Sequence, residues 1–307
     1  MPHDHHHQID PKAGDFRVAL AIAVNMGLTV AQVIGGILSG SLALIADALH
    51  NFSDAVALII AFGARKISRR PADSVMTFGY GRVEVVAALV NYTTLAVLGI
   101  YLIYEGVMRL IDPQPVAGWV VVIIAALALL VDLATPLLTW SMSKHSVNIR
   151  AAFLHNLADA AGSVAVIVAG VAILLWDQTW VDPAVTLLIA CYILWQVVRE
   201  IGPVMRILML GSPESPRIAD VLDRLGTEPG VADIHHAHLW MMQEHEAALQ
   251  AHIVVDAGQW GRADAIKARL KAIARERFGI SHTTFEMECS RHACDAPATV
   301  GGQGDGY

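Results

Sequence analysis

Apolar residues fill the first two thirds of the chain in long blocks, broken at intervals by short charged or turn-forming clusters. A helix needs ~20 mostly apolar residues to cross a bilayer, because every backbone polar group must find its partner inside the segment. Stretches of that kind run roughly from Phe16 to Leu38, Ser41 to Ile67, Val83 to Ile111, Val116 to Met142, Ala151 to Trp176 and Trp180 to Val204. The pattern predicts six transmembrane helices. After Gly211 it changes: "SPESP" introduces a more polar stretch in which helical and strand periodicities alternate. The order there reads helix from Pro216 to Leu225, strand from Val231 to Met242, strand from Ala247 to Val255, helix from Arg262 to Phe278, and strand from His282 to Glu288. That succession predicts a small α+β sandwich of ferredoxin-like type. The expected fold class is therefore an α-helical membrane protein followed by a small α+β domain. Its expected divisions are an N-terminal tail (1–15), a transmembrane domain (16–211), the ferredoxin-like domain (212–295) and a disordered tail (296–307).

Composition supports a membrane class. Of the 307 residues, 55% are hydrophobic and only 16% charged, against about a quarter charged in globular chains. A formal charge of −7 and the lack of any long Lys/Arg run exclude a nucleic-acid partner. Three cysteines, Cys191, Cys289 and Cys294, form no CxxC pair and no disulfide framework, which places the soluble part in a reducing compartment. The first apolar run lacks a small-residue cleavage site after it and reads as a retained span.

The loops alternate in charge. Arg65, Lys66, Arg69, Arg70 and Arg82 flank the second, and Lys144 and Arg150 the fourth; the others carry little beyond Arg109, Asp112 and Asp177. Basic loops stay in the cytoplasm, so both termini are assigned there, with Trp176 and Trp180 at the opposite interface.

Two apolar stretches carry the same polar insert: "ALHNFSDA" at 48–55 and "FLHNLADA" at 153–160. Helical residues four apart share a face, so His50 with Asp54 and His155 with Asp159 each make a two-toothed ligand set, with Asp47 one turn before His50. If the second and fifth spans pack together, two imidazoles and two carboxylates converge, an inventory that fits tetrahedral Zn²⁺. Ionisable groups at mid-bilayer cost at least ~2.5 kcal/mol each and mark ion paths or relays. The bland alternative is polar glue between helices. The duplication also suggests an internal repeat framing a central site. Asp132 in the fourth span is a candidate for a proton path, and Asn25, Gln32 and Asn91 are further buried polar candidates. Asn51 and Asn156 suit helix contacts or support of the ligands.

With these motifs, "TFGYGRVE" from Thr77 to Glu84, and a soluble domain after the sixth span, the chain resembles the cation diffusion facilitator family, zinc-type, over nearly its whole length. The resemblance implies a homodimeric, multi-pass protein of the inner (cytoplasmic) membrane. It implies export of divalent metal from the cytoplasm in exchange for protons, with a cytoplasmic domain for metal binding and dimerisation. Two nitrogens and two oxygens suit Zn²⁺, with Cd²⁺ and Co²⁺ as companions. Four protein ligands leave no open position for an activated water, so carriage rather than catalysis is expected, and the protein is not expected to be an enzyme. Ligands must shed protons to bind metal, and His titrates near neutrality, which suits alternating access coupled to protons. A membrane metal sensor or receptor, and a passive zinc channel, are the alternatives; an intramembrane hydrolase ranks below them because no HExxH pattern is present.

Elsewhere the chemistry is softer. In zinc-type relatives a His directly precedes the Thr-Phe-Gly stretch of the second loop; here that position is Met76, and Asp73 with a thioether makes a poor Zn²⁺ site. Arg82 and Glu84 read as structural charges. In the soluble domain His235, His238, His252 and His282 fall on family positions, while His236 stands where an Asp is common. Simple strand alternation would put His236 and His238 on one face and His235 on the other. Glu288, Cys289, His292 and Cys294 complete a candidate structural or regulatory Zn²⁺ site, against a plain alternative of surface histidines and reduced thiols. The "HDHHH" at the start is either a metal buffer or a purification handle.

Overall fold

The six apolar blocks fold as six helices: α1 (Pro11–Ser39), α2 (Leu42–Ser68), α3 (Val83–Ile111), α4 (Gly118–Ser143), α5 (Val147–Trp176) and α6 (Val181–Leu208). The computed structural model describes residues 11–143, 147–244, 246–291, 293 and 298–301; side chains at 11–22, 54, 57, 58, 61, 62, 65, 134–143, 147–156 and 158 lie outside the description. Among the described residues, Val83–Ile111, Asp159–Trp176 and Val181–Leu208 are long and apolar enough to cross a membrane, and Ala23–Ser39 and Gly118–Leu133 are shorter apolar helices. Side chains as greasy as the core also point outward: Ile100 is 62% exposed, Leu188 69% and Val198 74%. A water-facing helix would place charge there, so these outer faces match lipid.

The chain forms two compact units, one of residues 1–63 with 90–200 and the other of 64–89 with 201–307. Within the first, small residues set the spacing of the helices. A Cβ on Gly170 of α5 would meet Val122 Cγ2 at 2.8 Å, and one on Gly118 of α4 would meet the Gly170 carbonyl oxygen at 2.7 Å. On α3, Gly99 and Gly106 receive Leu194 and Leu187 of α6 in the same way. Between membrane helices there is little hydrophobic drive, so close contact of this kind supplies the packing energy. Buried Ala43, Leu44, Val121, Ala125, Val166 and Ala169 knit α2, α4 and α5 together.

The start of α2 is held from a distant part of the chain. Asp182, fully buried, accepts hydrogen bonds from the Ser41 hydroxyl and from the Leu42 N–H, the latter at 2.8 Å. A carboxylate there satisfies amides that no helical partner can reach and complements the helix dipole. Nearby, Arg109 Nη1 donates to the Gly40 carbonyl at 2.6 Å while its Nε holds Glu105.

In the second unit, α7 (Ile218–Gly226), β1 (Val231–Gln243), β2 (Glu246–Val255), α8 (Ala263–Phe278) and β3 (His282–Cys289) follow in the order the periodicity predicts. The sheet runs β1-β2-β3, antiparallel between the first pair and parallel between the second. Leu249, Ile253 and Phe285 face a core with Val221 and Leu225 of α7 and Ile266 and Leu270 of α8. The residues between them, His252, Glu286 and Glu288, project from the opposite face by the two-residue period of a strand. Gly279, at φ +69, ends α8, a left-handed turn that a residue without Cβ adopts freely.

Candidate metal centres

Polar side chains from four helices meet inside the first unit. His50 of α2 places Nε2 3.1 Å from Asp159 Oδ1 of α5, both largely out of solvent. Zinc bonds to nitrogen and oxygen of about 2.0–2.2 Å put two tetrahedral ligand atoms ~3.3 Å apart. The observed pair is therefore close in length to the edge of a coordination tetrahedron. Asp54 and His155 are helical residues one turn along from His50 and before Asp159; their side chains lie outside the described residues.

Around this pair the structure adds a second layer. Asp47, 4% exposed, accepts a hydrogen bond from Gln32 Nε2 of α1 at 2.6 Å, and the same amide accepts from Asn51 Nδ2 at 3.1 Å. Asp47 and Asn51 are one turn apart, so a single Gln32 side chain clamps the flank of α2 that carries His50. Asp132 of α4 accepts from Ser163 Oγ of α5 at 2.9 Å, and both Asp132 and Asp159 lie within electrostatic range of Asp47. Gly162 lies beside this group: a Cβ on it would sit 3.4 Å from Asp47 Oδ1, an ordinary van der Waals contact. Asn91 accepts from Ser53 Oγ at 3.1 Å and so ties α2 to α3.

Gln32→Leu is expected to leave the Asp47 and Asn51 groups buried without their partner, at about 1–3 kcal/mol for such a loss. The expected outcome is a lowered melting temperature together with weaker metal uptake; a variant that melts and transports like the parent would show that Gln32 does not hold α2.

The soluble domain gathers a second cluster across its open sheet face. His235, His252 and Glu286 are consecutive cross-strand partners on β1, β2 and β3. His252 Nδ1 lies 2.6 Å from Glu288 Oε1 and its Nε2 3.3 Å from Glu286 Oε2, while His235 Nε2 lies 3.3 Å from Glu288 Oε2. His235, His236 and His252 bring nitrogen atoms within 4.8 Å of one another. Imidazole and carboxylate donors in this density suit a borderline cation such as Zn²⁺.

The simple alternation of β1 does not hold here, because a bulge between His235 and His238 inserts a residue and reverses the parity of the strand. His236 joins His235 and His252, whereas His238 pairs with Gln250 and is exposed. His282 stacks edge-on against Phe78, centroids 5.8 Å apart, away from the cluster. Cys289 ends β3 opposite Val255; His292 and Cys294 lie outside the described residues.

In the loop between α2 and α3, Asp73 is used for structure. Its Oδ1 accepts from the Val75 and Met76 amides, each at 2.8 Å, and Oδ2 accepts from the Tyr80 hydroxyl at 2.7 Å. These bonds, the Met76 amide first, hold the carboxyl below its ordinary range, and the same contact raises the Tyr80 phenol. Arg82 Nε donates to the Met242 carbonyl at 3.0 Å and Glu84 accepts from Ser68 at 2.7 Å, both structural contacts.

Two family models cover the chain, the cation efflux transmembrane domain over residues 18–209 and the cation efflux protein cytoplasmic domain over 213–289. The chain belongs to the cation diffusion facilitator family. It is 32% identical to the metal cation efflux system protein CzcD of Cupriavidus metallidurans, over 97% of this chain and 96% of that one. It is 34% identical to the zinc transporter ZitB of Escherichia coli, with 94% and 93% covered, and 31% identical to the cadmium, cobalt and zinc/H(+)-K(+) antiporter of Bacillus subtilis, with 96% and 94% covered. This cation diffusion facilitator is thus a multi-pass membrane protein with a C-terminal cytoplasmic domain built on a small sheet.

His236 and Glu286 of this facilitator stand in the cluster but not among the candidate ligands of the sequence, where Gln32 reads only as a buried polar group. The doubled histidine in "DIHHAHLW" is plain in the sequence, but the bulge at the second ring is set by strand pairing. Glu286 was legible in principle, since it stands two residues before Glu288 and shares its face.

Proposed function

We propose that this facilitator exports divalent metal, Zn²⁺ first with Cd²⁺ and Co²⁺ as companions, from the cytoplasm in exchange for protons. It works by alternating access, as a homodimer of the inner membrane with both termini cytoplasmic. The observation that carries the proposal is the buried His50–Asp159 contact, where one proton-mediated bond occupies the edge of a would-be tetrahedron. Metal binding needs neutral imidazole and ionised carboxylate, so a cation arriving from the cytoplasm displaces that proton, and protons returning from the far side displace the cation. Asp54 and His155 complete the ligand set. Asp47 lies close enough to tune it, and the Asp132–Ser163 pair offers a proton path. In the cytoplasmic domain, His235, His252 and Glu288 hold a second zinc ion with a structural or regulatory role.

Purified protein in liposomes, given zinc and an imposed pH gradient, tests this reading. Zinc accumulating against a proton flow is the expected result. Zinc movement indifferent to the gradient would point instead to a channel, and zinc binding without flux to a sensor.

A further inference from the structure

Strand β1 breaks its ladder where its histidines lie. His235 pairs with His252 and His238 with Gln250, so His236 and Ala237 share the one position opposite Ala251. His236 absorbs the extra residue at φ +48, a left-handed conformation that few non-glycine residues adopt. The amides of this bulge turn away from β2 and bond the C-terminal segment. His236 N–H donates to the Ala298 carbonyl at 3.0 Å, Ala237 N–H to the Thr299 carbonyl at 3.1 Å, and Gly301 N–H returns to the Ala237 carbonyl at 3.1 Å. Ala237 and Val300 form a parallel bridge. With the bulge so held, the His236 ring centroid lies 5.0 Å from that of His252 and 5.8 Å from that of His235.

We infer that His236 is a third imidazole ligand of the cytoplasmic cation site, and that docking of residues 298–301 on the bulge sets the affinity of that site. The inference rests on the proposal that the cluster binds metal. Val300 is 54% exposed, so main-chain bonds rather than apolar burial hold the segment. Such bonds at a wet sheet edge exchange with water for little net gain. The segment is therefore weakly docked by itself, and a cation that fixes the His236 ring also fixes the backbone the segment bonds to. By linkage, metal tightens the tail as much as the tail tightens metal.

The test uses the full chain in detergent with Asp159→Ala to remove the membrane site, titrated with Zn²⁺ by calorimetry. His252→Ala serves as the reference. His236→Gly keeps the left-handed backbone and removes the ring, while a chain ended after Pro297 keeps the ring and removes the bonds. Both are expected to weaken zinc about 10- to 100-fold, the range for loss of groups that orient or complete a metal site. Amide exchange at Thr299 to Gly301 is expected to slow when zinc is added. If His252→Ala binds zinc like its parent, the cluster is not a metal site and both proposals fall. If His252→Ala loses zinc but either other variant retains parental affinity, or if zinc leaves the tail amides unchanged, the coupling alone is overturned.

Discussion

Asp159→Ala is expected to bring proton-driven zinc flux down to the level of protein-free liposomes while the chain remains folded. The carboxylate is a described partner of His50, 3.1 Å away, in a region where an ionisable group costs at least ~2.5 kcal/mol and by default marks a functional site. Removing it deletes one of the four proposed ligands and the hydrogen-bond contact that this carboxylate makes with the imidazole. The zinc-bound state is then lost rather than merely slowed, because a cation of this charge cannot enter an apolar interior short of ligands. Asp54→Ala is expected to do the same. Flux assays paired with size-exclusion profiles check both; normal transport by either folded variant would make the pairs structural and move the search to Asp132.

Gly170→Val should produce the second large effect, and for a reason remote from any ligand. Its first added carbon would lie 2.8 Å from Val122 Cγ2 and 3.2 Å from the Gly118 carbonyl oxygen, a space that real side chains do not occupy. Overpacking of this kind costs ~1–3 kcal/mol, and relief requires α4 and α5 to separate. That separation pulls Ser163 from Asp132 and shifts Asp159, so a lowered melting temperature and a strong loss of flux are expected together. Gly27→Ala is the matched control: nothing lies within 4 Å of the added carbon, and the helix gains propensity. Equal melting temperatures for the two variants would count against the close α4–α5 contact.

Much of this protein is legible from order and period alone. Six apolar blocks specify six helices because an unpaired backbone cannot sit in hydrocarbon, and the switch to mixed periodicity after Gly211 marks the α+β unit whose elements appear within a few residues of the predicted positions. The spacing of His50 with Asp54 and of His155 with Asp159 is local, since residues one turn apart share a face whatever the helix packs against. The sequence therefore determines the helices, the sandwich order and the paired His/Asp motif. Only the tertiary structure decides which groups from different elements touch. The Gln32 amide bridges Asp47 and Asn51, and Asp182 caps a helix that begins 140 residues earlier, across separations that no periodicity encodes. The bulge at His236 was equally out of reach. One inserted residue reverses which face a strand presents, and its position is set by pairing with β2 and with the segment at 298–301 rather than by the residues of β1 themselves.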